Sequence, residues 1–262
     1  MEQNIIKERV IVSVQDGSTM SIYVARPEGT DKLPVMLVFQ EAFGVNAHIR
    51  DITERIASEG YVALAPELFH RTAPGFEGSY TDFESVRQHM QALTIEDMQS
   101  DMKAAYNYAQ SLNYANVSLT GAIGFCMGGR VAFLASAFLP LKAATCFYGG
   151  GMDTLIGKIS GITCPVLLCW GGLDKHIPKE KIDMVTQALT EKEKDFINVV
   201  FSKADHGFFC DARASCHPNA AVEAWELVKA FWKQNLKQEK INAHDQLMTN
   251  KEYNKPNVYA LP

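Results

Sequence analysis

The chain has 262 residues, of which 47% are apolar and 21% are charged, and its formal net charge is −5. This length and balance are typical of a folded α/β protein with one large core. The negative charge and the lack of a lysine- or arginine-rich run argue against nucleic acid as a partner. No apolar stretch approaches the ~18 residues that a membrane span needs.

Two features indicate the compartment. The first ten residues, MEQNIIKERV, lack the apolar core of a signal peptide. The six cysteines include no C-x-x-C pair, so a zinc ribbon or a dithiol redox site is not expected. We therefore expect a cytoplasmic protein whose cysteines are free thiols.

The first half of the chain alternates predicted strands and helices. An Asp-Gly pair between RVIVSV (9–14) and SIYVAR (21–26) predicts a hairpin. PVMLVFQ (34–40) and YVALAPELF (61–69) are predicted strands, apolar enough to be buried on both faces. The isoleucines of NAHIRDITERIASEG (46–60) keep helical spacing.

Residues 67–93 interrupt this alternation of strands and helices. They contain proline, glycine and aromatic residues and show little periodicity before Phe83. A loop of this length is usually functional or disordered. A long helix is predicted next, over TIEDMQSDMKAAYNYAQSL (94–112). Thr94 and Asp97 have the spacing of a capping box at its start.

The second half repeats the strand–helix alternation. Its predicted strands are VSLTGAIGF (117–125), KAATCFYG (142–149), CPVLLCWGG (164–172) and NVVFS (198–202), and its predicted helices are GGRVAFLASAF (128–138), KEKIDMVTQALTE (179–191) and NAAVEAWELVKAFWKQN (219–235). The pattern predicts an α/β fold with a mostly parallel central sheet and helices on both faces. We expect residues 1–236 to form one domain and 237–262 to be a polar tail.

The motif IGFCMGG (123–129) joins a predicted strand to a predicted helix. Glycines at 124 and 128 flank Cys126 as they flank the nucleophile of a G-x-S-x-G turn, where small residues permit strained backbone and close packing. The following helix N-terminus would favour a thiolate and supply N–H groups for an oxyanion. A buried structural thiol is the alternative.

Two further strand ends carry the partners that a nucleophile needs. Asp174 follows the strand at 164–172 and His206 follows the strand at 198–202, in the chain order acid then histidine. Open α/β sheets assemble sites at such ends. We expect Cys126 to attack an acyl carbon, His206 to move protons and Asp174 to hold the imidazole. The backbone N–H of Met127 would face the oxyanion.

Glu41 ends the strand at 34–40, at the position where a second oxyanion donor normally lies. Taken from the residues alone, it is most simply a solvated loop glutamate. Five of the six other histidines show no metal-like spacing and are expected on the surface or in loops: His48, His70, His89, His176 and His217. No metal or organic cofactor is expected.

Four segments together resemble the dienelactone hydrolase family, whose members are α/β hydrolases with a cysteine nucleophile: FQEAFGVNAHIRDITERIASEGYVALAPELF, GAIGFCMGGR, LLCWGGLDKHIP and DHGFFCDARASCHPNAAVEAWELVKAFW. The resemblance covers about residues 10–235 and implies an α/β-hydrolase fold. It implies that Glu41 contacts the resting Cys126 and swings away when substrate binds. It also implies that the backbone N–H of Ala42 joins that of Met127 in the oxyanion hole.

The resemblance implies a small lactone or ester substrate, one whose negative group arginines would hold. Arg213 is a candidate, because it follows His206 at a distance seen in many relatives, although it is not placed as in the well-studied members. Arg71 and Arg87 are candidates from the irregular segment, and Tyr80 is a candidate for the pocket wall. Acyl transfer, peptide cleavage or redox sensing through Cys126 are the alternatives. A monomer and a homodimer are both compatible with the sequence.

Overall fold

A computed structural model describes residues 4–29 and 31–236, and the predicted tail at 237–262 lies outside this part. An eight-stranded sheet has the order β1-β2-β4-β3-β5-β6-β7-β8. The first two strands form the antiparallel hairpin and β2 pairs antiparallel with β4. All remaining pairs are parallel. The strands are β1 Ile5–Ser13, β2 Thr19–Pro27, β3 Leu33–Phe39, β4 Val62–Pro66, β5 Ala115–Phe125, β6 Ala143–Phe147, β7 Val166–Gly171 and β8 Phe196–Phe201.

Six α-helices and one 3₁₀ helix cover the two faces of this sheet in the described residues. The α-helices are α1 Ala47–Ser58, α2 Phe83–Ala92, α3 Ile95–Ser111, α4 Met127–Phe138, α5 Lys179–Glu191 and α6 Pro218–Asn235, and the 3₁₀ helix is Met152–Gly161. The mostly parallel sheet with helices on both faces, the predicted fold class, is confirmed. None of the helices in the described residues has the length and apolar character of a membrane span.

Local sequence signals explain where several elements begin. Thr94 and Asp97 form the predicted capping box at the start of α3, with each side chain bonded to the other's backbone N–H. The Asn46 side chain accepts a hydrogen bond from the N–H of Ile49 and starts α1. Strands β4, β6 and β7 are buried along their whole length, as apolar strands between two helical layers must be.

The strand register sets the position of the site. Gly124, near the end of β5, pairs with Phe39 of β3 on one side and with Cys146 of β6 on the other. Gly171, at the end of β7, pairs with Phe201 of β8. The carboxyl ends of these parallel strands therefore lie along one edge of the sheet, where the loops that follow them meet.

The expectation that these five histidines lie at the surface or in loops is wrong for two of them. His48 and His89 are buried on helices α1 and α2. His70 is buried in the loop after β4, and its Nε2 lies 3.0 Å from Oδ1 of the fully buried Asp101. A buried imidazole with a carboxylate partner is a packing element that spacing along the chain does not reveal.

Candidate active site

Cys126 occupies the turn between β5 and α4 with φ 55° and ψ −118°, a conformation that a residue with a side chain seldom adopts. Its N–H donates to the carbonyl of Phe147 at 3.0 Å. A Cβ atom on Gly124 would lie 1.9 Å from the oxygen of Gly128, and one on Gly128 would lie 2.1 Å from the oxygen of Phe39. The two glycines thus allow the close approach that turns Cys126 outward, and Cys126 is partly exposed.

His206 lies between a carboxylate and the thiol. Its Nδ1 is 2.7 Å from Oδ2 of Asp174, and the Cys126 side chain lies near enough to the imidazole to raise its pKa. Because Nδ1 is taken by Asp174, the nitrogen left for the sulfur is Nε2. The structure thus brings together the three residues that the sequence predicts at three strand ends.

Two backbone N–H groups fix the position of the Asp174 carboxylate. Oδ1 of Asp174 accepts the N–H groups of His176 at 2.8 Å and Ile177 at 3.2 Å. Burial acts to raise the pKa of Asp174, but the hydrogen bond and charge of His206, together with these two N–H groups, lower it overall. Asp174 is therefore ionised and its second oxygen is directed at the imidazole.

The environment of His206 favours its protonated form. Burial acts to lower its pKa, but the hydrogen bonds to Asp174 and Cys126 and the negative charges beside it raise the pKa to about 10. An imidazolium in this position can serve as a proton donor in acyl-transfer chemistry.

Glu41 is fully buried, so the expectation of a solvated loop glutamate is wrong. Its Oε1 accepts a hydrogen bond from Nη1 of Arg213 at 3.2 Å. The guanidinium also lies 5.7 Å from the ring centroids of Phe43 and Tyr80. A buried carboxylate is tolerable when a cation pairs with it, and the two aromatic faces in turn favour that cation. Among the described residues Oε2 of Glu41 has no hydrogen-bond partner.

Two backbone N–H groups remain available in the segments that follow β3 and β5. Met127 is the first residue of α4, where an N–H has no intrahelical acceptor, and Ala42 is buried directly after Glu41. Within the described residues neither N–H donates a hydrogen bond. Free donors at a helix N-terminus are suited to an oxyanion.

The remaining sequence candidates divide into two groups. Tyr80 lies beside the site, because its ring is 4.6 Å from that of Phe43 and its hydroxyl accepts from Nδ2 of Asn46 at 3.0 Å. Arg71 is bound instead to Asp101, at 2.8 and 2.9 Å, and to other carboxylates on that side. Arg87 is exposed and pairs with Glu84 on its own helix.

Sequence reasoning missed Tyr148, a fully buried residue with φ 35° directly after β6. Its ring centroid is 5.1 Å from that of His206, and its hydroxyl has no hydrogen-bond partner in the described part of the chain. Burial raises its pKa well above the ordinary value, and the charge of Glu41 adds to this. Tyr148 lies in the segment FYGGG (147–151), and its run of glycines is the one signal in the sequence that indicates an unusual turn there.

The sheet order, the strained turn at Cys126 and the three strand-end side chains define an α/β hydrolase. The family model described as "Dienelactone hydrolase family" matches residues 20–236. The chain therefore belongs to the dienelactone hydrolase family.

Individual relatives agree with this assignment over nearly their whole length. A Synechocystis protein named "Putative carboxymethylenebutenolidase" is 38% identical over 88% of this chain and 98% of its own. An Escherichia coli K12 protein of the same name is 36% identical over 83% of each chain. The crystal structure described as a "Putative Dienelactone Hydrolase" from Klebsiella pneumoniae superposes with a TM-score of 0.81 at 32% identity, covering 88% of this chain and 99% of that one.

Proposed function

We propose that this protein hydrolyses a small ester or lactone through a covalent thioester on Cys126. The observation that carries the proposal is the placement of Cys126, on a strained and partly exposed turn, beside an imidazole that Asp174 binds at 2.7 Å. Both relatives carry the name "Putative carboxymethylenebutenolidase", which supports a lactone as the substrate class.

The proposed reaction has two halves. The sulfur of Cys126 attacks the acyl carbon, and the carbonyl oxygen becomes an oxyanion bound by the N–H groups of Met127 and Ala42. Collapse breaks the C–O bond, and the protonated His206 gives its Nε2 proton to the leaving alkoxide. His206 then takes a proton from water, whose oxygen attacks the thioester, and expulsion of the sulfur frees the acid.

We infer that the substrate carries a negative group that Arg213 and Tyr80 help to hold. The Arg213 side chain is about one-fifth exposed and donates one N–H to Glu41. A guanidinium has five N–H groups, so further donors remain for a carboxylate. Glu41 would modulate the nucleophile through its charge and through this arginine. Arg71 and Arg87 are the other candidates for binding this negative group, but both already bind carboxylates elsewhere.

We also propose that the enzyme works in the cytoplasm, because all six cysteines are free thiols and such thiols persist in reducing compartments. The proposed partner is a small molecule. Neither nucleic acid nor a membrane is needed, and a monomer or a homodimer would serve equally, because every group in the proposed steps belongs to one chain.

The experiment that tests this function is a substrate panel assayed with the wild type and with Cys126→Ala. The panel holds lactones with and without a carboxylate, activated esters, thioesters with added acceptor alcohols or amines, and short peptides. Lactone and ester hydrolysis that Cys126→Ala abolishes is the expected result. Cys216→Ser is the matched control, because Cys216 is also partly exposed but forms no hydrogen bond with His206 or Asp174 in the described part of the chain.

Other outcomes assign the alternatives. Product formed only with an acceptor indicates an acyltransferase, and cleavage of peptides alone indicates a peptidase. Reversible oxidation of Cys126 with no turnover of any substrate indicates redox sensing. Arg213→Met should raise KM for carboxylated lactones and leave neutral ones little changed, whereas Arg87→Met should affect neither. Equal effects on both substrates would remove the proposed anion-binding role.

A further inference from the structure

Three buried side chains lie together on the inner side of the cysteine site. They are Glu41 after β3, His48 on α1 and Cys210 in the loop after β8, and all three are buried. Each offers one ligand atom, a carboxylate oxygen, an imidazole nitrogen or a sulfur, and these atoms all lie within 4.8 Å of one another. None of the three spacings along the chain resembles a metal motif, because three separate elements contribute one residue each.

Two of these side chains have unused polar atoms. Neither ring nitrogen of His48 makes a hydrogen bond within the described residues, although Oδ1 of Asp211 lies 3.5 Å from Nδ1. Oε2 of Glu41 is likewise without a partner. Buried polar atoms are nearly always satisfied, and an orphan ligand set calls for an explanation.

Nε2 of His48 is the nitrogen that would bind an ion, because the Asp211 carboxylate lies on the Nδ1 side of the ring. The carboxylate of Asp211 beside Nδ1 resembles the carboxylate that commonly orients a metal-bound histidine through its other nitrogen.

We propose that Glu41, His48 and Cys210 form a binding site for a thiophilic divalent cation such as Zn²⁺. One sulfur, one nitrogen and one oxygen are a ligand set that zinc accepts, at about 2.3, 2.0 and 2.1 Å. A tetrahedral ion with such bonds holds its ligand atoms roughly 3.3 to 3.8 Å apart, so the trio has to close by no more than about 1.5 Å.

Charge and proton balance are compatible with this site. On binding, the Cys210 thiol releases its proton to solvent, and the thiolate and the Glu41 carboxylate together neutralise the two positive charges of the ion. Arg213 stays on Oε1 of Glu41 and leaves Oε2 for the metal. The Tyr80 hydroxyl, which is hydrogen-bonded to the Cys210 side chain, retains Asn46 as a donor. Solvent supplies the fourth ligand.

The test is a Co²⁺ titration of full-length Cys126→Ala protein, followed by absorption spectroscopy. This background removes the other reactive thiol near the site, so the result does not depend on the proposed hydrolysis. One equivalent of Co²⁺ should bind and give a thiolate-to-cobalt charge-transfer band. Adding Cys210→Ser should abolish the band and weaken binding at least about tenfold, and adding His48→Gln should weaken binding by a similar factor.

Adding Cys216→Ser provides the control and should leave both the band and the affinity unchanged. Circular dichroism verifies the fold of each variant. If Cys210→Ser does not fold, the Co²⁺ affinity of His48→Gln tests the site instead. The proposal is overturned if the Cys126→Ala protein shows no charge-transfer band at one equivalent of Co²⁺. A band that survives unchanged in Cys210→Ser, or an affinity that is unchanged in His48→Gln, also overturns it. A site that holds only a buried water would give no charge-transfer band.

Discussion

Nδ1 of His206 lies 2.7 Å from Oδ2 of Asp174, and the other oxygen of Asp174 accepts two backbone N–H groups. This contact joins the loop after β7 to the loop after β8. It leaves Nε2 as the imidazole nitrogen that is free to face Cys126.

Asp174→Asn should lower kcat/KM by about 10³- to 10⁴-fold, because the amide can hold the imidazole in the wrong tautomer. It should also lower the pKa of His206, which the hydrogen bond and charge of Asp174 help to raise. Steady-state kinetics and an NMR titration of the imidazole measure the two effects. Asp183→Asn, which alters an exposed ion pair on α5, is the control and should change neither. An unchanged His206 titration in Asp174→Asn would show that the contact does not control the imidazole.

The raised pKa of His206 also predicts how stability depends on pH. Its ordinary value is 6.5 and its folded value is about 10, so the folded state binds the proton more tightly. The stabilisation is fully present below about pH 6.5 and is lost as the pH rises through about 10. The difference in free energy of unfolding between the wild type and His206→Gln should therefore shrink between pH 6.5 and 10. Urea melts across this range measure it, and a constant difference would contradict the assignment.

Glu41 and Arg213 should affect the reactivity of Cys126 in opposite directions. Burial acts to lower the pKa of the Arg213 guanidinium, but the charges of Glu41 and Cys126 beside it raise this pKa. Glu41→Gln removes a buried negative charge and should speed alkylation of Cys126 by iodoacetamide about tenfold at neutral pH. Arg213→Met removes the cation and should slow alkylation by a similar factor.

Arg87→Met is the control for this pair, because Arg87 is an exposed arginine that binds Glu84. Its alkylation rate should equal that of the wild type. Equal rates in Glu41→Gln and the wild type would exclude an electrostatic role for Glu41.

Gly124 permits the close approach of β5 to the first turn of α4. Gly124→Ala would place a Cβ atom 1.9 Å from the backbone oxygen of Gly128, which cannot move aside as a flexible side chain can. We expect it to destabilise the fold by about 3 kcal/mol or more. Gly157→Ala, on an exposed glycine of the 3₁₀ helix with open space around its Cβ, should stay within about 0.5 kcal/mol of the wild type. Thermal unfolding of the two variants makes the comparison.

Much of the fold follows from local signals. Helix α5 spans the predicted residues 179–191, and the hairpin and the capping box at Thr94 are as expected. Each depends on residues close in sequence, where turn chemistry and periodicity act directly. The 3₁₀ helix at 152–161 was not predicted, because MDTLIGKISG contains two glycines and lacks an amphipathic repeat long enough to recognise.

The site was predictable in part for a similar reason. Cys126, Asp174 and His206 each follow a recognisable strand, and parallel strands bring their ends to one edge. The burial of Glu41 was not predictable from the residues, because its partner Arg213 lies 172 positions away and a lone carboxylate in a loop is usually solvated. The position of His48 beside Glu41 and Cys210 is likewise a long-range result of packing.

The central claim is that Cys126 becomes acylated during turnover. Rapid quenching of the reaction with an activated ester, followed by intact-protein mass spectrometry and peptide mapping, measures this directly. We predict one acyl group per chain on the peptide that contains Cys126, at a level that decays as product forms, in the wild type and in Cys216→Ser. Cys126→Ala should show no acyl group and no product above the uncatalysed rate. Full turnover by Cys126→Ala, or an acyl group on any other residue, would contradict the account.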